Sequence, residues 1–419
     1  MKTRSTRNRV TRRGVLIGGT TAAAALAVPN ILRAQSGDIK IACVSELTGP
    51  VARSGGQVRM GAVLAVEDIN KSGGIKALGG RKIQLITEDA GENPQRARAA
   101  AQRVVSDHPD LVAGTGAFLS SWSLAITEVT ERAQVPWVAN GWGDAITERG
   151  FKFVVNTVPL GSKVSVESIR ALMGLAQKQT GSRPKTVGFI YDNSAYSLSF
   201  MDPLHKPGTL DSLGLKSVMD QVYTPGLSDA TPLIQNVRNT RPEFLWLNTA
   251  NASDAKLIIE KLSEYGFGGG KIPVVAPGSY FGDPAMAKLL GPDKLESMIH
   301  IATNWDSAKK KDVMADLSKR ANEPWMNQDC LSAYGSLLLI KDALERAKTT
   351  DKEAVMAAML ATDTTTGPAE YFPGERLSFD EKGRIRDNTV VMFQWQNGRP
   401  LTVYPQSNAY APLIWPKAS

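Results

Sequence analysis

From residue 39 to residue 139 short apolar runs alternate with amphipathic segments, and the alternation restarts at residue 186. Residues 39–44 read as a strand, and Val58, Ala62, Ala65, Val66 and Ile69 then recur at helical spacing until Gly73-Gly74 ends the helix. Residues 83–87 are a second strand, and Asn93-Pro94 opens the next helix with a capping side chain and a proline at its first position. Residues 111–113 and 135–139 read as the third and fourth strands. Strands that take turns with helices favour an α/β fold, a parallel-rich sheet covered by helices on both faces.

The second round has strands at residues 186–191, 217–222, 244–247 and 272–276, and Pro159 and Gly161 mark the crossing that leads into it. The last third is less regular, with helices at 309–321, 331–347 and 353–360 and short strands at 377–379, 390–395 and 401–404. The expectation is two Rossmann-like lobes of similar design, since 419 residues exceed one ordinary domain.

The formal charge of +8 suggests an acidic partner until its location is noted. Lys2, Arg4, Arg7, Arg9, Arg12, Arg13 and Arg33 all precede residue 35, with no Asp or Glu among them, and removing those seven leaves +1 for the remainder. A nucleic-acid partner is therefore not expected. The pair Arg12-Arg13 before a weakly apolar run, residues 14–28, resembles a twin-arginine export signal, with cleavage near Ala34 and a soluble periplasmic product. Cys43 and Cys330 allow one bridge, but one falls in an apolar strand and the other near the start of an apolar helix, which favours buried free thiols.

Catalytic machinery is missing. The histidines at 108, 205 and 300 have no metal-ligand spacing, and there is no G-x-S-x-G elbow. Residues 266–271, G-F-G-G-G-K, follow a helix and precede a strand, the reverse of a phosphate loop. Neither an enzyme, a metal nor a cofactor is expected. What remains are the loops after the strands, where open α/β sheets bind ligands. They hold Ser54, Ser120, Ser121, Asn140, Gly141, Trp142, Tyr196, Asn251, Ser279 and Tyr280, a mixture of apolar walls and a few polar groups suited to a small-molecule pocket. The stretch 114–122, G-T-G-A-F-L-S-S-W, reads as a glycine-rich turn into a helix start, where unpaired amides favour an anionic group. Taken locally, the pattern favours Ser120 as that helix's N-cap, and its position at a strand end is what points to a ligand.

Leu47-Thr48-Gly49-Pro50, Glu67-Asp68-Ile69-Asn70 before Gly73-Gly74-Ile75, Asp89 before Asn93-Pro94, the Ser120-Ser121 loop and Thr147-Glu148-Arg149-Gly150 appear in that order. Phe379-Asp380-Glu381-Lys382-Gly383 and Phe393-Gln394-Trp395 follow near the end. In this order they resemble the branched-chain amino-acid (Leu/Ile/Val) binding proteins of ABC importers. The resemblance implies a type I periplasmic binding fold: a ligand cleft between two lobes joined by three crossovers. Lobe 1 would comprise residues 37–157 and 303–376, and lobe 2 residues 158–302 and 377–419. It also implies a monomer that closes on a small solute and is read by an ABC permease at the inner membrane. A ligand sensor signalling to a membrane receptor is the alternative on the same fold. Ser120 or Ser121 and the loop 140–143 match the family's carboxylate-holding positions, and Tyr196 matches an aromatic of the second lobe that covers the ligand. One departure stands out. Where the family carries an acid for the ligand's ammonium, this chain has Gly278, Ser279 and Tyr280. A sealed ammonium without a partner costs about 1–3 kcal/mol, roughly tenfold to a hundredfold in affinity. Either Glu46, Asp144, Asp192 or Asp283 substitutes, or the ligand is a small carboxylate or amide, an aromatic one included.

Overall fold

The computed structural model describes Met1 and residues 37–415, apart from 279, 307, 373, 375 and 387–389. The expected export leader (all but Met1) and Ser279 therefore lie outside the described residues. The chain divides into Met1–Gly37 and one compact unit, Asp38–Ser419, and the second is the folded body considered below.

That body is built on two sheets. The first contains β1 (Ile39–Ser45), β2 (Ile83–Asp89), β3 (Ala113–Gly116), β4 (Trp137–Ala139) and β5 (Val154–Asn156) in the order β2-β1-β3-β4-β5, with every pairing parallel. The second contains β6 (Thr186–Asp192), β7 (Lys216–Tyr223), β8 (Phe244–Asn248), β9 (Val274–Pro277) and β10 (Ile299–Ala302). Between β10 and the last two strands of that sheet, β11 (Asp363–Thr364) and β12 (Leu377–Ser378) form a small antiparallel ribbon. Finally, β13 (Val391–Gln396) and β14 (Arg399–Tyr404) join β10 on its far edge, antiparallel, giving the order β14-β13-β10-β9-β8-β6-β7. The parallel parts of the two sheets repeat one topology, so each has a point where the strand order reverses, between β1 and β3 and between β6 and β8. In open α/β sheets that point is where ligands bind, beyond the strand C-termini.

The third strand corrects the sequence reading. Residues 111–113 are expected as the strand, yet β3 runs Ala113–Gly116 and takes in half of the supposed turn. Its glycines are there for contact. A Cβ on Gly114 would lie 2.2 Å from the Trp137 ring, and one on Gly116, at φ 140°, would lie 2.0 Å from the Val44 carbonyl oxygen. Glycine marks close approach inside this strand, not a bend.

The irregular last third has a definite place. Helix Gln328–Ala347 shares a core with helix Ala52–Lys71 and β1, through Val58, Ala62, Cys43, Leu337 and Ile340. The two helices come so close at Gly61 that an added Cβ would sit 2.0 Å from the Cys330 carbonyl oxygen. Tyr334 donates to Asp68 at 2.7 Å and Arg320 to the same carboxylate at 2.8 Å, fastening this late segment to the first sheet's helix. Both cysteines are buried and free, as the sequence favours. Burial pushes both thiols up to about 12, so they stay protonated and inert.

Candidate functional site

The loops after β1, β3 and β4 face those after β6, β8 and β9, and a cleft runs between them. Its inner chamber, about 30 Å³, is lined by Phe118, Leu119, Ser120, Trp142 and Asp329 on one side and Tyr196, Thr249, Ala250, Gly278 and Tyr280 on the other. An outer chamber of about 160 Å³ adjoins it, sharing Phe118, Ala250 and Tyr280 and adding Pro50, Ser54, Met286 and Leu289. A void of about 10–15 Å³ holds one water, so the inner chamber suits a polar head group and the outer one an apolar body.

Ser120 is the first residue of helix Ser120–Arg132, and its N-cap is Leu119, whose side chain makes no capping bond. The capping reading of Ser120 is thereby replaced. Its hydroxyl instead accepts the Gly143 amide at 2.9 Å, tying the loop after β4 to the helix start. That approach also needs glycine, since a Cβ on Gly143 would fall 2.9 Å from the Ser120 Cβ. With Ser120 pinned, the helix begins at the chamber wall, and a helix start there favours a carboxylate or another acceptor.

Trp142 follows from the same loop. It is buried, and its ring meets Phe200 of helix Ala195–Leu204 edge-on at 5.2 Å, while Phe200 meets Tyr196 at 5.4 Å. These three aromatics bridge the two halves of the cleft, and the Asp144 amide donates to Ser199 at 3.3 Å beside them. The Tyr196 hydroxyl is buried without a hydrogen-bond partner, and burial, with Asp192 nearby, holds its pKa well above the usual phenol range. It is a neutral donor, and Gly278, at φ 100°, runs past it so closely that a Cβ there would lie 3.1 Å from the hydroxyl.

The expected site residues divide. Ser120, Trp142, Tyr196 and Tyr280 line the inner chamber, and Ser54, Asn251 and Tyr280 the outer one. Ser121 and Gly141 line neither, and Ser279 lies outside the described residues. Asn140 is absent from the walls for a structural reason: it bonds Thr115, Thr157 and Ser336 at 2.9–3.2 Å beneath the loop. Asn251 caps helix Ala252–Glu264 through the Asp254 amide at 2.9 Å.

The four candidate acids differ as well. Asp192 accepts the amides of Ser194 and Ala250, committing it to loop structure. Asp144 accepts the Ser162 amide at 3.4 Å. Asp283 is held by Arg53 at 3.1 Å and by Asn327 at 3.1 Å, a latch across the rim of the outer chamber. Glu46 is fully buried behind Leu119, whose amide it accepts at 3.3 Å. Burial, reinforced by the charge of Asp329, pushes Glu46 up to about 8.

Asp329 is the acid the sequence reading missed. It is 3% exposed and sits in the inner wall, in the first turn of helix Gln328–Ala347, where the helix dipole favours a carboxylate. Its neighbour Gln328 is oriented by accepting the Thr303 amide at 2.7 Å. The sequence expectation starts this helix at 331, and no local pattern ties its first turn to loops two hundred residues earlier.

Arg384 fixes the cleft floor from behind. Its guanidinium, 2% exposed, donates to Thr147 Oγ1 (2.9 Å) and to the carbonyls of Val158 (2.9 Å), Gly143 (3.0 Å) and Asp144 (3.2 Å). Burial lowers its pKa to about 10, which leaves it charged at neutral pH. One side chain thus holds the Trp142 loop against the segment that crosses to the second sheet.

The sequence model of the family described as periplasmic binding protein matches residues 38–400. A relative named Leu/Ile/Val-binding protein homolog 7, from Brucella abortus (strain 2308), is 29% identical over 393 residues, covering 91% of this chain and 95% of that protein. Among solved structures, the branched-chain amino acid transporter substrate binding protein of Streptococcus pneumoniae in complex with isoleucine superposes with a TM-score of 0.73 at 20% identity, covering 87% of this chain and 97% of that one. A solute binding protein of an ABC transporter from R. palustris in complex with benzoate does so at 0.72 and 14% identity, covering 91% and 99%. The chain belongs to the periplasmic binding protein family, with the type I fold of two lobes around a ligand cleft.

Proposed function

We propose that this member of the family is the exported solute-binding component of an ABC importer, which encloses one small organic solute and presents the closed form to a permease. The observation that carries the reading is the convergence of six loops, three from each sheet's C-terminal edge, on one cleft walled by Trp142, Tyr196 and Tyr280 with Ser120 at a helix start. An apolar enclosure with few polar fixing points suits capture of a small molecule, and neither catalysis nor a cofactor is needed for it. The relatives bind isoleucine in one case and benzoate in another, so an amino acid and a small or aromatic carboxylate or amide are the classes to consider.

In this reading lobe 1 comprises residues 37–157 and 303–376, and lobe 2 residues 158–302 and 377–419. With those boundaries Arg384 would stand beside the first crossing, and its bonds to Val158 and Gly143 suit a hinge. The leader with Arg12-Arg13 directs export and is removed near Ala34, releasing a monomer into the periplasm. Titration calorimetry of the purified mature chain against aliphatic and aromatic amino acids, carboxylates and amides tests the proposal. One solute per chain, lost on Trp142→Ala with Tyr196→Ala, supports it. Turnover of the solute, or binding indifferent to both substitutions, overturns it.

A further inference from the structure

A third cavity, about 490 Å³, lies outside the solute cleft and exceeds both of its chambers together. Helix Lys311–Ala321, packed into the first sheet's core through Met314 and Leu317, forms one wall. Arg399, Pro400 and Leu401 of β14, in the second sheet, form the other. Trp305 and Trp325 supply apolar surface between them. Trp305 is buried and stacks on Phe393 with ring centres 3.9 Å apart, and Trp325 is half-buried and edge-on to Trp395 at 5.9 Å. A concave site with fixed aromatic side chains in its lining suits a small molecule better than the flat face of a partner protein.

Charge defines the occupant. Lys311, Lys319 and Arg399 are exposed residues of the lining, and none of them makes an ion pair among the described residues. The two acids of the lining are engaged: Glu323 accepts from Arg53 at 2.6 Å and Gln57 at 3.0 Å, and Asp306 accepts the Tyr410 hydroxyl at 3.0 Å. The Arg399 guanidinium stands over the Trp325 ring, 5.8 Å from its centre, so a cation and an aromatic face already lie together. We propose that this cavity is a second binding site, for a small organic anion with a flat ring. The ring lies among Trp305, Trp325 and Met314, and the anionic groups meet Lys311, Lys319 and Arg399. The cavity also adjoins the cleft. Glu323 in its wall holds Arg53, which lines the outer chamber, and Trp325 donates to the Gly282 carbonyl at 2.7 Å, beside the Asp283 that Arg53 and Asn327 hold. An occupant therefore bears on two residues that tie the cleft's rim, and with walls from both sheets it fits the arrangement in which those ties are made. Resting on the solute-binding reading, the anion raises affinity for the solute, and the solute tightens the anion by the same factor.

Three compounds that share one ring system test it: naphthalene-1,5-disulfonate, 2-naphthylmethylamine and 2-naphthylmethanol, which carry two negative charges, one positive charge and none. Calorimetry on the wild-type mature chain at about 0.15 M salt is expected to give one disulfonate per chain, bound at least about tenfold more tightly than either companion. Lys319→Gln with Arg399→Gln is expected to weaken the disulfonate by about tenfold or more, with a thermal midpoint near that of wild type because both residues are exposed. Ala315→Trp, which fills the cavity from its helix wall at another exposed position, is expected to abolish binding. Failure of the disulfonate to bind wild type, or equal affinity for all three compounds, overturns the site, and this arm needs no variant to fold. Unchanged disulfonate affinity in either variant also overturns it. Hydrogen exchange of the backbone amides reads the coupling without any solute. Saturating disulfonate is expected to slow exchange at residues 281–286 in wild type and not in Trp325→Phe, which keeps a ring and loses the bond to Gly282. Equal exchange with and without the disulfonate in wild type, or equal slowing in the variant, overturns the coupling. None of these outcomes bears on whether the cleft takes a solute, which titration with candidate solutes decides separately.

Discussion

Replacing Glu46 by Gln removes a carboxyl that the fold keeps protonated, and the effect on stability has a sign and a window. In the unfolded chain the group ionises at its usual value, 4.5, whereas burial and the charge of Asp329 hold it in the fold until about pH 8. A raised carboxyl opposes folding: below pH 4.5 both states carry the proton, and above it the unfolded state sheds it while the folded state cannot. Wild-type stability therefore falls as pH rises from 4.5 to 8 and levels off beyond. Each tenfold change in a protonation equilibrium corresponds to about 1.4 kcal/mol, so the whole window is worth up to about 5 kcal/mol. The glutamine amide keeps an oxygen for the Leu119 amide and has no charge to suppress. His300, fully buried and drawn down to about 3, adds a slope of the opposite sign up to its usual 6.5, but both chains share it. The quantity to measure is the difference between the variants in urea unfolding of solute-free protein at pH 5, 6, 7 and 8. Glu46→Gln should gain on wild type with each step, by several kcal/mol in all. Parallel stabilities across this range would refute the assignment of a buried, neutral Glu46.

Other substitutions probe the frame around the cleft. Arg384→Met strips donors from Thr147, the buried carbonyls of Val158 and Gly143 and the half-buried one of Asp144, and urea unfolding should register a loss of about 3 kcal/mol or more; a change under about 1 kcal/mol would contradict the role given to this side chain. Gly61→Ala forces a Cβ to within 2.0 Å of the Cys330 carbonyl, so the two helices must part, at a cost of about 1–3 kcal/mol in the same assay. Arg53→Gln removes the cation from Asp283, whose carboxylate is buried and keeps only Asn327 and the Ala285 amide, so urea unfolding should register a loss of about 1–3 kcal/mol. Stopped-flow displacement should also show solute leaving several-fold faster, and an unchanged rate would leave the latch without function.

The sequence reveals what depends on local periodicity. Alternating strands and helices, the Asn93-Pro94 start and the loops carrying Ser120, Trp142 and Tyr196 are visible because each depends on neighbours a few residues away. It misplaces β3 because Gly114 and Gly116 look like a turn until the ring of Trp137 and the backbone at Val44 are seen against them. Asn140 shows the converse, a polar loop residue that reads as a ligand contact and proves to be a brace under the loop. Asp329 escapes for a topological reason: it arrives in the cleft from helix Gln328–Ala347, after the chain has crossed between lobes, and no spacing in the sequence encodes that return.

The proposed function requires one small solute held between the lobes. Mass spectrometry of molecules released on denaturing the purified mature chain, after equilibrium dialysis against a concentrated cell extract, measures that occupancy. One chemically unaltered organic solute per chain is expected, absent from a parallel sample of the Trp142→Ala, Tyr196→Ala double variant. Recovery of no solute, or of the same solute in equal amount from the double variant, would contradict it.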